Sequence, residues 1–173
     1  MAALPGLEHK HIKLILTMKP GDLLSVPGAV LRREWDELVI NPEERSFAPV
    51  LISGGGCKIP ELGLKITKED IISTVVHKSF TSFLFKKQKV CGNITVRPRK
   101  EGDAIRLSDK TGTKSLKKLF IERRIPAHER SAVPVICDES GVIAVLGIGS
   151  DVRTHVKPGD ESVKITFYKG ENS

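Results

Sequence analysis

The spacing of apolar positions changes several times along the chain, and each change marks an element. In "LEHKHIKLIL" (residues 7–16), Leu7, Leu14 and Ile15, with Ile12 and Leu16 alongside, form one stripe at helical spacing. Pro20 and Gly21 in "KPGD" end that helix, because proline cannot continue it and glycine favours a turn. From Leu23 the pattern shortens. "AVLRREWDELVI" (29–40) reads as two short strands about "REWDE", or as one bent strand, and "APVLI" and "KIPELGLKIT" read as further extended segments. In "SFTSFLF" (79–85), Phe80 and Leu84 fall on one strand face, Phe83 and Phe85 on the other.

The second half holds the clearest helix. "TKSLKKLFIERR" (113–124) places Leu116, Leu119 and Phe120 at i, i+3 and i+4, one core-facing stripe. Thr113 or Ser115 can cap its start, and Pro126 stops it. Lys114, Lys117 and Lys118 share a different face. "AVPVICDESGVIAVLGIG" then reads as a hairpin about "DESG", and "SVKITFY" (162–168) as a closing strand. Short strands punctuated by Gly and Pro, with one strong helix, predict an α+β chain built on a strand-rich β-sandwich with packed helices.

"VLISGGGC" (50–57) has the look of a nucleotide-binding loop, since several ATP-using ligases hold pyrophosphate in Ser-Gly-Gly-x-Asp-Ser. Such a loop needs converging backbone N–H groups and normally opens a helix. Here Cys57 and Lys58 stand where Asp and Ser would be, and Pro60 and Gly63 prevent a helix. Gly54 to Gly56 are a turn between strands.

Composition narrows the class. The chain has 173 residues, 39% of them hydrophobic, enough to build a core. No apolar run approaches the roughly 20 residues of a membrane span. The start "MAALPGLEHKH" has no signal-peptide pattern, so a non-secreted, cytoplasmic protein is expected. Cys57, Cys91 and Cys137 form no CxxC pair, and His9 and His11 have no partner at ligand spacing, so neither a disulfide framework nor a metal site is expected.

The net charge is +7, and its distribution says more than its size. Residues 86–130 hold 14 of the 28 Lys and Arg but only 5 of the 21 acids, while the rest of the chain is slightly acidic. Such concentration is the footprint of a polyanion partner, most often nucleic acid. The alternative is a solvated basic surface. Within "ITVRPRKEGDAIRLSDKTGTKSLKKLFIERRIPAHERSAVPVI" (94–136), Pro98 keeps the backbone extended, so Arg97 and Arg99 are expected on one side, followed by Lys100. Ile105 and Leu107 resume a strand from which Arg106 faces away. Next come the helix lysines Lys114, Lys117 and Lys118, then Arg123, Arg124 and Arg130. Arg binds phosphate through a bidentate fork and Lys supplies point charge. The competing possibility is that Arg97 pairs with Asp103 or Glu101 and the lysines only solvate the helix. On the phosphate-binding reading, changing Arg97 and Arg99 together to Ala weakens RNA binding and leaves the melting midpoint almost unchanged.

The same stretch resembles the C-terminal domain of bacterial tRNA(Ile)-lysidine synthetases. That family's pattern runs Arg-x-Arg-x-x-Gly-Asp, then Lys-x-Leu-Lys-x-Leu-Phe, then Ile-Pro, Arg and Pro. Arg97, Arg99, Gly102 and Asp103 match the first element; Lys114, Leu116, Lys117, Leu119 and Phe120 the second; Ile125, Pro126, Arg130 and Pro134 the third. "LEHKHIKLIL…GDLLSVPGAVLRREWDELVI" is similar to the family's linker helix and strand entry. The resemblance implies residues 1–22 as a linker helix from a preceding domain and residues 23–173 as a C-terminal tRNA-binding β-sandwich, a fold shared with a domain of the phenylalanyl-tRNA synthetase β subunit. It implies an enzyme that uses ATP, with Mg, to activate C2 of the wobble cytidine of tRNA(Ile) with anticodon CAU, where lysine then displaces AMP. In the family that chemistry belongs to an N-terminal domain, absent from this sequence. The chain is therefore expected to be a fragment with no cofactor and no ligase activity of its own, partnered by the catalytic domain and by the tRNA acceptor stem. A non-selective RNA- or DNA-binding module, and a protein-interaction or self-association domain, remain the alternatives. The helical stripe at 7–16 supports the last of these if it stays exposed.

Overall fold

The computed structural model describes residues 6–74 and 79–170; residues 1–5 of the segment read as a linker lie outside them. In chain order the elements are α1 (His9–Thr17), β1 (Leu23–Val26), β2 (Ala29–Arg33), β3 (Leu38–Ile40), β4 (Val50–Leu51), β5 (Gly56–Ile59), β6 (Leu64–Ile72) and β7 (Ser82–Lys86). Then come β8 (Thr95–Arg97), β9 (Ala104–Ile105), β10 (Lys114–Ser115), α2 (Leu116–Glu122), β11 (Val135–Asp138), β12 (Gly141–Val145), β13 (Gly149–Ser150) and β14 (Glu161–Lys169).

Two antiparallel sheets face each other. One runs β5-β6-β14-β7, the other β13-β12-β11-β8-β4. Alternate residues of the first sheet point inward: Ile59, Ile66, Phe83, Phe85, Ile165 and Phe167 meet Val96, Ile136, Ile143 and Ala144 of the second. Phe83 and Phe167 meet edge to face, centroids 6.3 Å apart. The second sheet is covered on its other side too, where Val135, Cys137, Val142 and Val145 pack against Leu116, Leu119 and Phe120 of α2. All four residues of β11 are buried, which explains why this hairpin reads as a continuous apolar run rather than an alternation. The result is three layers: sheet, sheet, helix.

The ends of α2 follow from its sequence. Ser115 caps it by accepting from Lys118 N–H (3.3 Å). At the C-terminus, Arg124 takes the left-handed conformation (φ 53°), with Arg124 N–H donating to Ile121 O and Ile125 N–H to Phe120 O. This is the Schellman closure, with an arginine where glycine is usual.

The glycine turn lies between β4 and β5, as expected. Gly54 has φ +55°, and Gly56 has φ +143° with its backbone pressed against β6. A Cβ on Gly56 would stand 2.1 Å from Ile66 O, whereas one on Gly55 would meet nothing within 4 Å. Gly56→Ala is therefore expected to lower stability by about 2–3 kcal/mol and Gly55→Ala by almost nothing, read as chemical-denaturation midpoints. Pro60–Leu62, read as extended, makes a 3₁₀ turn closed by Gly63 N–H to Pro60 O (3.0 Å).

The strands at 23–40 differ from expectation in their partners. β1, β2 and β3 form a separate three-stranded sheet. Its small core of Val26, Ala29 and Leu31 packs with Leu7, Ile15 and Leu24. A boundary at residue 22 therefore falls inside a unit that joins α1 to this sheet, because Ile15 and Leu24 share one cluster. The rest of the α1 stripe stays outside it: Ile12, Leu14 and Leu16 are 47%, 50% and 80% exposed.

Candidate nucleic-acid interface

Of the ten basic residues singled out in the sequence, the first behaves differently from the reading. Arg97 ends β8 and turns inward, its side chain only 14% exposed. Both terminal nitrogens donate to Asp103, Nη1 to Oδ2 at 2.7 Å and Nη2 to Oδ1 at 2.9 Å, and Nη1 also donates to Pro98 O. The fork that would grip a phosphate is filled by a carboxylate. β8 stops at Arg97, and the chain turns at residues 101–102, bringing Asp103 back to the guanidinium.

Burial raises the Asp103 carboxyl, but the bond from Arg97, the Lys100 N–H and the charges of Arg97 and Arg99 outweigh it and hold it below the ordinary carboxylate range. The Arg97 guanidinium is held more firmly charged by the same bond, against its burial. Lys100 N–H donates to Asp103 Oδ2 (2.7 Å), and Leu116 N–H donates to Asp103 O (2.8 Å). Asp103 thus ties the 98–102 loop to the start of α2.

Within this loop Arg99 is half-buried and Lys100 is exposed. Neither has an acidic partner within 4.0 Å among the described residues. Arg130 donates through Nε to Ile125 O (3.0 Å). Burial lowers its pKa, Glu34 opposes this, and the charge of Arg99 adds a smaller push in the same direction as burial.

Lys117 and Lys118 on the helix and Arg123 at its C-cap are exposed and unpaired among the described residues. Lys114 differs from the expected shared face: it lies in β10, before the helix begins, and reaches Glu122 at 2.8 Å. That bond leads the causes holding the Glu122 carboxyl below its usual range, with Lys118 and Arg123 adding to it. Arg106 is 47% exposed, 3.9 Å from Asp109, and borders a cleft of about 460 Å³ with Thr113 and Arg153. Arg124 lies over the Trp35 ring, 5.8 Å from its centroid, and 3.6 Å from Asp36.

Sequence reasoning missed what surrounds residues 124–130. Glu34, with its side chain 5% exposed, accepts from Ala127 N–H (3.4 Å) and pairs with His128 Nδ1 (3.1 Å). With Trp35 and Asp36 it brings the tip of the β2–β3 hairpin onto the turn carrying Arg124 and Arg130. No local signal links residues more than 90 positions apart. Arg153, bound to buried Asp138 15 residues away, was missed as well.

Among the described residues no group of three or more His, Cys, Asp or Glu is arranged to hold a metal, and no helix is long and apolar enough to cross a membrane.

Known proteins match this arrangement. The sequence pattern of the TilS substrate C-terminal domain matches residues 94–167, which span the basic loop, α2 and both strands of the hairpin behind it. The tRNA(Ile)-lysidine synthase of Clostridioides difficile is 32% identical over 153 residues, covering 80% of this chain and 32% of that protein. The tRNA(Ile)-lysidine synthase of Bacillus subtilis is 39% identical over 91 residues, or 51% of this chain and 19% of that one. A crystal structure of a TILS C-terminal domain superposes with a TM-score of 0.57 at 25% identity, covering 72% of this chain and 92% of the other. The chain spans about a third of the length of the first of these relatives. With its strand-rich fold and its 94–167 segment both matched, the chain belongs to the tRNA(Ile)-lysidine synthase family and carries that family's C-terminal domain.

Proposed function

We propose that this domain binds tRNA, as the substrate-holding part of a tRNA(Ile)-lysidine synthase acting in the cytoplasm. The RNA is tRNA(Ile) with a CAU anticodon, held chiefly by its acceptor stem. ATP and Mg serve the ligation of lysine to the wobble cytidine in a catalytic domain of the same enzyme, and this domain contributes no reacting group. The observation that carries the reading is the set of cations without acidic partners on the helix layer: Arg99 and Lys100 in the loop, Lys117 and Lys118 on α2, and Arg123 at its C-cap. Arg106, Lys114, Arg124 and Arg130 flank them in sequence. Side chains cannot read the deep major groove of A-form RNA, so phosphate and shape contacts dominate on a stem.

The test is the salt dependence of tRNA(Ile) binding. Replacing Lys117, Lys118 and Arg123 together by Gln is expected to flatten the slope of log K against log salt by about one per lost phosphate contact, with the melting midpoint unchanged. An unchanged slope would remove this face from the interface. Equal affinity for any RNA hairpin would make the domain a general duplex binder. The exposed Ile12, Leu14 and Leu16 of α1 support a second role in protein contact or self-association, read by sedimentation of the chain with and without Leu16→Glu.

A further inference from the structure

Strand register builds a second cationic surface on the opposite side of the molecule from α2. Lys58 of β5 stands directly across from Lys65 of β6, and Lys65 directly across from Tyr168 of β14. Their chain neighbours Ile59, Ile66 and Phe167 are buried between the sheets, so these three side chains point to the outer face of the four-stranded sheet. Lys58 and Lys65 are exposed, and Tyr168, the only tyrosine of the chain, is 49% exposed.

Like charges directly opposite in a sheet are destabilising, and opposite charges stabilise. The same face shows the ordinary solution two rows away, where Lys164 is in register with Glu69. Between the two rows lie three hydroxyl residues, Thr67, Thr166 and Ser82, the last two joined at 3.0 Å. Among the described residues the Lys58–Lys65 pair has no acidic partner within 4.0 Å. A row of two unpaired lysines, an exposed aromatic ring and a strip of hydroxyls matches what unpaired RNA requires. Lysines take successive phosphates, the ring takes a base face, and hydroxyls bond phosphate or 2′-OH.

We propose that this outer face binds a single-stranded RNA segment, with a base stacked on Tyr168 and its flanking phosphates on Lys58 and Lys65. The choice of RNA as ligand class rests on the tRNA reading above; the surface itself does not. Because both β-sheets separate it from α2, it engages a different part of the RNA from the duplex held by the helix layer.

The test uses the full 173-residue chain with two probes, an eight-nucleotide oligouridylate and a fully paired RNA hairpin, each followed by fluorescence anisotropy. Lys58→Gln with Lys65→Gln is expected to flatten the salt slope for oligouridylate by about 1.4, two single-strand phosphates at about 0.7 each. Tyr168→Ala is expected to weaken oligouridylate binding by at least about fivefold, and Tyr168→Phe to restore it, since the ring stacks without its hydroxyl. Hairpin binding stays at the parent level in all three. The proposal is overturned if the parent chain does not bind oligouridylate, or if the lysine variant binds it as the parent does. It is also overturned if Tyr168→Ala has no effect while polyglutamate competes as well as RNA, which would mark a face for an acidic protein. Loss of hairpin binding by the parent chain would instead refute the tRNA reading, so the two failures are told apart.

Discussion

Replacing Asp138 by Ala is expected to lower stability by about 3–5 kcal/mol, the usual cost of removing one partner from a buried ion pair. The Asp138 side chain is 0% exposed. Its two oxygens accept from both terminal nitrogens of Arg153 (3.0 Å each), from Cys91 N–H (2.9 Å), and from the N–H and hydroxyl of Ser140 (3.0 Å each). One carboxylate thus closes the β11–β12 turn, fixes the start of the segment leading into β8, and holds the turn after β13. Removing it leaves the Arg153 charge and two backbone donors without their acceptor. Burial raises the Asp138 carboxyl, but Arg153, Cys91 N–H and Ser140 together overcome this and hold it below the ordinary range. A carboxyl depressed in the folded state contributes stability above its unfolded pKa of about 3.9, and that stability is lost as pH falls through the folded value. The difference in melting midpoint between the parent and Asp138→Asn should therefore be full at pH 6 and shrink below about pH 4. A difference independent of pH would mean that the loss is one of shape rather than charge.

The elements that pattern alone could locate are those whose burial is one-sided or complete. The Leu116–Leu119–Phe120 stripe, the 135–145 hairpin, the closing strand and the glycine turn all appear where their spacing puts them. Pattern gives a strand its two faces, but it does not name the strand's neighbours. The alternation at 23–40 is real, yet those strands pair only with each other, so the boundary assigned at residue 22 splits one small core. The same limit applies to charge. Counting along the chain found the basic stretch at 86–130 but not Lys58 and Lys65, whose charges lie seven residues apart in sequence and directly opposite in the sheet. Arg97 shows a further limit. Its possible pairing with Asp103 was visible in the sequence, but a two-residue spacing to Arg99 predicts a common side only while the strand continues. The strand ends at Arg97, and the turn beyond it delivers Asp103 to the guanidinium.

That pairing reverses the expectation for the two arginines. Arg97→Ala and Asp103→Ala are each expected to lower stability by about 3–5 kcal/mol, since each leaves a mostly buried charge alone, the side chains being 14% and 10% exposed. The double substitution should cost clearly less than the sum of the two, because the second change removes the charge that the first left unpaired. Arg99→Ala, with no ion pair to break, should leave the denaturation midpoint within about 0.5 kcal/mol of the parent. Binding should divide the other way. Measured well below the melting transition, Arg99→Ala is expected to reduce the salt slope for tRNA by about one. Arg97→Ala should keep the slope and lose affinity only as far as the 98–102 loop loosens. The loop is the link: Asp103, fixed by Arg97, accepts from Lys100 N–H and offers its carbonyl to Leu116 at the start of α2. If Arg97→Ala instead flattened the salt slope while the folded state kept its stability, the guanidinium would be a phosphate ligand and its grip on Asp103 a resting state that RNA displaces.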